Sequence, residues 1–388
     1  MKLTIASFRD LFPVFKDLIY LDVGSRAPLP KPVFDEIEGY LRQCMLGQID
    51  KSLLFDLTEE TRERFARLIN ADPVEVTFTK NISEGLNIIS SSMEWKQGDN
   101  VIICPELEHP NNVYHWLALT KKGVEIKFVD SVDGEISVDR ILEKMDSHTR
   151  VVSVSTVTFC PGFKINLQRL GKCCRESGAL LVVDAAQSIG IIDSDVQKLN
   201  IDVLATSTQK GLLALYGMGF LYIRKEIAEA MTPAYLARFS VKLDNSDSHE
   251  SDFGGKEIKL MPGAKRFDLG NYNFPGVVAV HTSLGIIEEL GINSIETYVT
   301  QLSARLATRL REVHVPVYGH KEAEIAHTVC IGNYGKDIDS VNKLYENFNA
   351  NNIRTCIRRN MIRFTLHAYN NDNDIDKVVE IAKRTKKW

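Results

Sequence analysis

The sequence predicts an α/β fold, in which a mostly parallel sheet carries helices on both faces and is followed by a smaller α+β domain. Short runs rich in apolar and β-branched residues alternate with segments of helical periodicity, an order typical of parallel β–α–β units. Several runs, such as residues 179–183, are apolar throughout, as expected for strands buried on both faces. A chain of 388 residues with 44% hydrophobic residues has room for such a core.

Most of the regular elements are predicted for the first part of the chain. The predicted strands cover residues 19–22, 76–79, 100–104, 125–129, 151–155, 179–184, 202–207 and 219–224. The predicted helices between them cover residues 112–121, 138–145 and 167–177, the last ended by Gly178.

The second part of the chain changes in character. Residues 241–263 are rich in Asp, Ser and Gly, which favours a surface loop. Residues 274–290 then predict one long helix ended by Gly291, followed by two more helices and short strands. We therefore expect a large domain over residues 15–270 and a small domain over residues 271–388, with residues 1–14 packed on the small one.

Charge and cysteine content exclude several classes of function. The net charge of −4 arises from 47 basic and 51 acidic residues spread evenly, so neither a nucleic acid nor a membrane is expected as a partner. The first residues lack the apolar core of a signal peptide, which predicts a cytoplasmic protein. The seven cysteines show no metal-ligand spacing, and no metal is expected. A small-molecule substrate is favoured.

Three polar residues follow two of the predicted strands. Asp184 ends the apolar run 179–183, Gln187 comes shortly after it, and Lys210 follows the next strand. Adjacent parallel strands would bring these side chains to one edge of the sheet, where ligands of such sheets bind. A carboxylate, an amide and an amine around one pocket would suit a cationic heterocycle. Alternatively, Asp184 is a helix cap and Lys210 a solvated surface lysine.

An anion site is predicted upstream, in residues 75–89, which have the pattern of a strand, a tight turn and a helix. Asn81 and Glu84 have the spacing of a capping box. The amides of the first helical turn, together with the Ser83 hydroxyl, would bind a phosphate. A plain helix cap is the simpler interpretation, and it is compatible with phosphate binding.

These segments resemble one known family in both order and spacing. Val183-Asp-Ala-Ala-Gln187, Ser207-Thr-Gln-Lys210 and Leu21-Asp-Val-Gly-Ser-Arg-Ala-Pro28 are similar to motifs of the class V aminotransferase and cysteine desulfurase family. These are fold-type I enzymes that use pyridoxal 5'-phosphate (PLP). The resemblance covers about residues 20–382. It implies a seven-stranded, mostly parallel sheet in the large domain, PLP as cofactor, and a homodimer with a shared active site.

The resemblance also implies roles for individual residues. Lys210 would form the Schiff base with PLP, and Asp184 would keep the pyridine nitrogen protonated, so that the ring accepts electrons. Gln187 would hydrogen-bond the phenolic oxygen of the ring, and His109 would stack on its face. Arg363, in Met361-Ile-Arg-Phe-Thr365, would bind the α-carboxylate of an amino acid.

Further contacts follow from the same comparison. The phosphate ligands would be Ile82, Ser83, Ser207 and Gln209, with Asn271 reaching the phosphate of the neighbouring subunit. Arg26 matches a segment that lines the substrate side of the pocket, where it would bind a second acidic group. A surface ion pair explains Arg26 equally well.

The sequence departs from the family pattern at three places. Gln209 replaces the histidine that usually precedes the lysine. Phe159 replaces an asparagine near the phenolic oxygen, and Thr158 beside it would compensate. Cys356 is the only thiol near Arg363, and the segment around it is too short for the loop that carries the nucleophilic cysteine of desulfurases. Persulfide transfer is therefore disfavoured.

The sequence thus predicts a PLP enzyme that acts on a small amino acid, and amino transfer is the favoured reaction. A carbon–sulfur β-elimination lyase without the usual cysteine and an epimerase are open alternatives, because all three reactions begin with removal of the α-proton by Lys210. A non-catalytic binding scaffold is the alternative from another class of protein.

Overall fold

The structure is a computed structural model that describes residues 3–243, 257–318, 325–332 and 338–385. The middle of the predicted surface loop, residues 244–256, lies outside the described residues. The strands are β1 Ile19–Tyr20, β2 Val76–Thr79, β3 Asn100–Ile103, β4 Glu125–Phe128, β5 Thr149–Ser155, β6 Leu180–Asp184, β7 Val203–Ser207, β8 Gly219–Ile223, β9 Val317–Tyr318, β10 Thr328–Ile331, β11 Ile353–Arg354, β12 Cys356–Arg358 and β13 Met361–Thr365.

The helices lie between and after these strands. They are α1 Ile5–Phe8, α2 Lys31–Met45, α3 Lys51–Leu68, α4 Ile82–Ser92, α5 Tyr114–Leu117, α6 Val138–Lys144, α7 Leu167–Ser177, α8 Lys225–Ala230, α9 Phe274–Leu290, α10 Ile292–Glu312, α11 Ile338–Ala350 and α12 Asp372–Arg384. None of these helices, within the part of the chain that the structure describes, combines the length and apolar character needed to cross a bilayer.

The central sheet has seven strands in the order β2-β8-β7-β6-β5-β3-β4. Only β8 runs against its neighbours, since it pairs antiparallel with both β2 and β7. The predicted mostly parallel seven-stranded sheet is thus confirmed. Strands β5, β6 and β7 lie side by side, so their carboxyl ends meet at one edge of the sheet. Their buried apolar side chains hold this edge rigidly.

Helices cover the sheet as the periodicity predicts. α7 begins at Asn166, whose side chain accepts a hydrogen bond from the Arg169 amide, and ends at Gly178 in the left-handed conformation, with φ of 79°. A glycine adopts this conformation without steric cost. The predicted bounds of α7 and α9 match the structure.

A second, antiparallel sheet lies in the C-terminal part of the chain, in the order β12-β13-β10-β9. The N-terminal segment is tied to this part. β1 pairs in parallel with β11, and the Arg9 guanidinium lies 2.8 Å from the Asp374 carboxylate. The rings of Phe8 and Phe12 pack on Tyr369.

Three helical predictions differ from the structure. α2 and α3 were not predicted, and no side-chain cap marks the beginning of α2. The predicted helix 112–121 breaks into a four-residue α5 flanked by two 3₁₀ turns. Among the described residues, three helices rather than two follow α9, which itself packs on α2 and α3.

Candidate active site

The carboxyl ends of β6 and β7 open on a cavity of about 630 Å³. The sheet topology explains its position, because ligands of parallel sheets bind at this edge. Segments that follow strands of the central sheet and strands of the antiparallel sheet both contribute side chains to its wall. The polar and charged side chains used below are Asp184, Gln187, Ser207, Lys210, Arg358 and Arg363.

Asp184 is the last residue of β6 and is 4% exposed. Its Oδ1 accepts a hydrogen bond of 2.9 Å from the Ala186 amide, while Oδ2 accepts none from the described residues. Burial raises the pKa of Asp184, although the Ala186 amide and the charge of Lys210 oppose this rise. A cation brought against Oδ2 would restore the carboxylate form.

Lys210 lies just beyond β7 and faces the same cavity. Burial lowers its pKa to about 8, against the opposing attraction of Asp184. No ion pair joins Lys210 to a carboxylate of the described residues, so the two opposite charges face each other across open space. A planar ring fits between an amine and a carboxylate placed in this way.

Gln187 is held by a tight turn of the N-terminal segment. Its Nε2 donates a hydrogen bond of 3.2 Å to the carbonyl oxygen of Gly24. A Cβ atom at Gly24 would lie 2.7 Å from Gln187 Oε1 and 3.1 Å from an Arg363 nitrogen. Only glycine therefore allows this backbone to approach the two side chains.

The N-terminus of α4 forms one end of the cavity. Asn81 caps the helix, because its side chain accepts a hydrogen bond of 3.0 Å from the Glu84 amide. Glu84 reaches back to the Lys80 amide rather than to Asn81. The positive end of the helix dipole and the hydroxyl of Ser83 favour an anion here.

The predicted phosphate ligands lie together at this end. The Ile82 amide already donates a hydrogen bond of 2.9 Å to Ser207 Oγ. Ser83, Ser207 and Gln209 all line the cavity. Because the Ile82 amide is paired, the side chains of these three residues are more available to a phosphate than that amide is.

His109 lines the cavity above the strand ends. Its Nδ1 accepts a hydrogen bond of 3.2 Å from the Asn111 amide, which places the proton of the neutral ring on Nε2. Burial, with the nearby charges of Lys210 and the arginines, lowers the pKa of His109 to about 4. The ring is therefore neutral near pH 7 and suits stacking on an aromatic cofactor.

Arg363 lies on β13 and is fully buried. One guanidinium nitrogen donates a hydrogen bond of 2.8 Å to the carbonyl oxygen of Phe159, and another lies 3.9 Å from Asp22. Its Nε has no hydrogen-bond partner among the described residues. A buried guanidinium with an unpaired nitrogen is a suitable site for a carboxylate.

Three predicted residues lie outside this cavity. The Thr158 hydroxyl accepts hydrogen bonds of 3.2 and 2.9 Å from the amides of Gly162 and Phe163, so it serves a turn. Arg26 is exposed and does not line the wall. Asn271 lines a neighbouring cavity, which shares Lys80 and Gly217 with the first.

Arg358 and Glu108 are among the residues near the site that were not predicted. Arg358 lines the cavity from the end of β12. Glu108 is buried behind the wall and accepts a hydrogen bond of 2.7 Å from the Ser155 amide. Burial, with the negative charge of Asp184, raises the pKa of Glu108 to about 7. The only sequence signal for Glu108 was its place directly before the candidate histidine.

A lysine and a carboxylate that face each other across a cavity, beside a helix N-terminus, define a site for PLP. The open Oδ2 of Asp184 and the unpaired Nε of Arg363 fit a bound ring and an amino acid. The class of protein is thus a fold-type I PLP enzyme. The family model of class-V aminotransferases matches residues 19–378, and the chain belongs to this family.

Known proteins agree with this assignment. A probable cysteine desulfurase of Pyrococcus abyssi is 33% identical over 321 residues, which cover 80% of this chain and 77% of that protein. An uncharacterized aminotransferase of Bacillus subtilis is 29% identical over 297 residues, or 76% of each chain. The apo structure of a cysteine desulfurase from Thermococcus onnurineus is similar with a TM-score of 0.85 at 26% identity, covering 98% and 97% of the two chains.

Proposed function

We propose that this PLP enzyme is an aminotransferase acting on a small α-amino acid. The observation that carries the proposal is the set of side chains around the cavity, which supplies an amine, a ring partner and a carboxylate site but no thiol. All seven cysteines lie within the described residues, and none lines the cavity. A nucleophile for sulfur transfer is therefore missing, whereas every group needed to move a proton is present.

Each side chain has a separate role in the proposed reaction. When bound, PLP supplies a conjugated ring that accepts the electron pair left at the α-carbon of an amino acid. Asp184 holds a proton at the ring nitrogen, because a carboxylate beside that nitrogen favours its charged form. Arg363 fixes the α-carboxylate, and the neutral His109 covers the ring face and excludes water.

Lys210 is the base that removes the α-proton and then donates a proton at an atom other than the α-carbon. With its pKa lowered to about 8, a useful fraction of its amine is unprotonated near neutral pH. Its place beyond β7, across the cavity from Asp184, allows its amine to approach a substrate held by Arg363.

The test is a two-substrate assay with the PLP-loaded protein. An amino acid and a 2-oxo acid are supplied, and both products are quantified. Amino transfer gives one new amino acid for each new oxo acid and requires the acceptor. Ammonia released without an acceptor would contradict the proposal.

Cleavage of a carbon–sulfur bond is the second candidate, because the Pyrococcus abyssi relative is named a probable cysteine desulfurase. Cys356, the thiol nearest in sequence to Arg363, is buried on β12, with its Sγ 3.9 Å from the Arg363 carbonyl oxygen. Burial raises the pKa of Cys356, which disfavours the reactive thiolate. Alanine formed from cysteine, with sulfide released from the enzyme persulfide by an added thiol reductant, would establish the desulfurase reaction if both products are lost in Cys356→Ser. Sulfide formed together with pyruvate and ammonia would indicate β-elimination instead.

We propose further that the active protein is a homodimer. Large apolar side chains that are more than half exposed cluster on α2 and at the beginning of α3: Phe34, Leu41, Met45, Leu46 and Leu53. Such a patch is typical of a protein interface. The cavity around Asn271 adjoins the active site through Lys80 and Gly217, where the Asn271 of a second subunit would reach a phosphate.

Light scattering after size exclusion tests the dimer. The wild-type protein is expected at twice the chain mass. Leu53→Asp, which places a charge in the apolar patch, should give monomers with less bound PLP. Phe128→Asp, on the edge strand β4, introduces the same charge at another exposed apolar side chain and should remain dimeric. A monomeric wild-type protein with full activity would overturn the dimer proposal.

A further inference from the structure

The active-site cavity carries more positive charge than the proposed reaction requires. Four cationic side chains line it, namely Lys80, Lys210, Arg358 and Arg363, whereas Asp184 is the one acidic side chain on its wall among the described residues. Asp184 and Lys210 serve the cofactor, and Lys80 lies at the phosphate end beside α4. Two arginines remain at the other end of the cavity. The α-carboxylate of an amino-acid substrate would need only one of them.

The two arginines converge on one oxygen atom. A guanidinium nitrogen of Arg358 lies 3.1 Å from Ser25 Oγ, and one of Arg363 lies 3.4 Å from it. The hydroxyl of Ser25 itself donates to Asp22. Both guanidinium groups also flank the ring of Phe159, at 6.0 and 4.9 Å from its centroid. The two groups therefore form neighbouring parts of one surface.

Arg358 differs from Arg363 in its charge balance. Arg363 has the carboxylate of Asp22 at 3.9 Å. Arg358 has no carboxylate within ion-pair distance among the described residues, and its other hydrogen bond goes to the Ile357 carbonyl oxygen at 2.8 Å. A half-buried guanidinium without a counter-ion gains most from an incoming anion.

The hairpin that carries Arg358 is fixed in place. Arg359 and Asn360 form a two-residue turn between β12 and β13, both with positive φ, of 49° and 61°. Arg359 donates hydrogen bonds of 2.9 Å to the Glu108 carbonyl oxygen and 3.4 Å to that of Cys160. These bonds hold the hairpin against the loops of the large domain, so the Arg358 side chain is presented to the cavity by a rigid turn.

We propose that Arg358 binds a second anionic group, on the substrate side chain. The substrate class is then an α-amino acid whose short side chain ends in a carboxylate or a similar oxyanion. Arg363 holds the α-carboxylate, and Arg358 holds the distal group across the face of Phe159. This assignment rests on the proposed function, because it places an amino acid in this cavity.

Binding experiments test the inference independently of the reaction. With the PLP-loaded protein, calorimetry compares succinate, which carries two carboxylates, with propionate, which carries one. Succinate should bind about 10- to 100-fold more tightly, the range expected for a charge-assisted hydrogen bond. Arg358→Gln should remove this preference and leave propionate binding unchanged. Equal affinities in the wild-type protein would overturn the inference, even if amino transfer had been demonstrated.

Kinetics supply the second arm. For Arg358→Gln, kcat/KM should fall about 10- to 100-fold with aspartate, glutamate or cysteine sulfinate and stay unchanged with alanine. Comparison of these three acids identifies the preferred oxyanion and length. Arg358→Lys keeps the charge and should retain part of the preference. Arg150→Gln is the matched control, because Arg150 lies at the opposite end of β5, in an ion pair with Asp99.

Each outcome either supports or contradicts the proposed role of Arg358. Equal losses for acidic and neutral amino acids in Arg358→Gln would show that this arginine serves the α-carboxylate or the fold, and would contradict the inference. If no amino acid reacts but succinate still binds preferentially through Arg358, the proposed reaction fails while the anion site stands.

Discussion

The two ends of the cavity differ in how their charges are balanced. At the cofactor end, the carboxylate of Asp184 and the amine of Lys210 line the same cavity without forming an ion pair, and the N-terminus of α4 favours an anion. At the substrate end, Arg358 and Arg363 lie side by side, and Asp22, at 3.9 Å from Arg363, is their one carboxylate partner in the part of the chain that the structure describes. The cofactor end is thus built for a ligand that is cationic at one side and anionic at the other. The substrate end is built for anions alone.

This difference has a structural origin. The cofactor end is formed by the carboxyl ends of neighbouring parallel strands, whose register fixes Asp184 against Ala205 on β7. The substrate end is formed where the β12–β13 hairpin meets the loop at Phe159 and the turn at Gly24. In the proposed reaction, the groups that carry out the chemistry are therefore positioned by the sheet, and those that select the substrate by contacts between distant segments.

The largest effect is expected from removing the base at the cofactor end. Lys210→Ala should lower kcat by at least about 100-fold and as much as about 10,000-fold, because it removes the group that transfers the proton. Lys121→Ala, an exposed lysine, should behave as the wild-type protein. Stopped-flow and steady-state assays of amino transfer measure both. Substantial turnover by Lys210→Ala would show that another group is the base.

A smaller and different effect is expected at the substrate end. Arg363→Lys keeps the charge but loses the planar fork, and KM for the amino acid should rise by about 10- to 100-fold with a lesser change in kcat. The visible absorbance of bound PLP should stay as in the wild-type protein. A loss of PLP together with activity would mean that Arg363 supports the fold instead.

The ionisation of Glu108 links the charge at the cofactor end to the stability of the folded protein. Its pKa is raised to about 7 from an ordinary value of 4.5, so the folded state holds a proton that the unfolded chain releases. The contribution of this proton to the free energy of unfolding is complete below about pH 4.5. It is lost as the pH rises through about 7, by up to about 3 kcal/mol.

Urea unfolding of the wild-type protein and Glu108→Gln measures this stabilisation between pH 5 and pH 8. The free energy of unfolding should fall with rising pH more steeply in the wild-type protein than in the variant. The other titrating groups, Asp184 among them, are common to both proteins. Parallel pH profiles would show that Glu108 ionises at an ordinary pKa.

The smallest effect is expected for the thiol. Cys356→Ser should change kcat/KM for amino transfer by less than about twofold, because the Cys356 thiol does not line the cavity and a buried cysteine of this kind is unreactive. Cys44→Ser, at an exposed site, is the control. A large loss of activity in Cys356→Ser alone would favour sulfur transfer over amino transfer as the reaction.

The two ends also differ in how far the sequence predicted them. Asp184, Gln187 and Lys210 each follow a locally recognisable apolar strand, and the parallel order of those strands brings them together. Arg358 was not predicted because its position depends on a hairpin and on Phe159, far away in the chain. Arg26, by contrast, matched a motif, yet its backbone turns the side chain outward, where it is exposed.

The same reasoning applies to the fold. α7 was predicted with its bounds because a cap and a glycine mark both of its ends. α2 was missed because no side-chain cap marks its beginning. The proposed dimer would explain the exposed apolar residues of α2, since a face covered by a second subunit need not be polar.

In the proposed site, Lys210 and Asp184 hold PLP from opposite sides, and a spectroscopic titration with PLP tests this arrangement. PLP is added to the cofactor-free wild-type protein, Lys210→Ala and Asp184→Asn, and the visible absorbance is followed. The wild-type protein should take up one PLP per chain with a visible band, Asp184→Asn should bind more weakly with an altered band, and Lys210→Ala should lack the band. A wild-type protein that takes up no PLP, or an unchanged band in Lys210→Ala, would contradict the account.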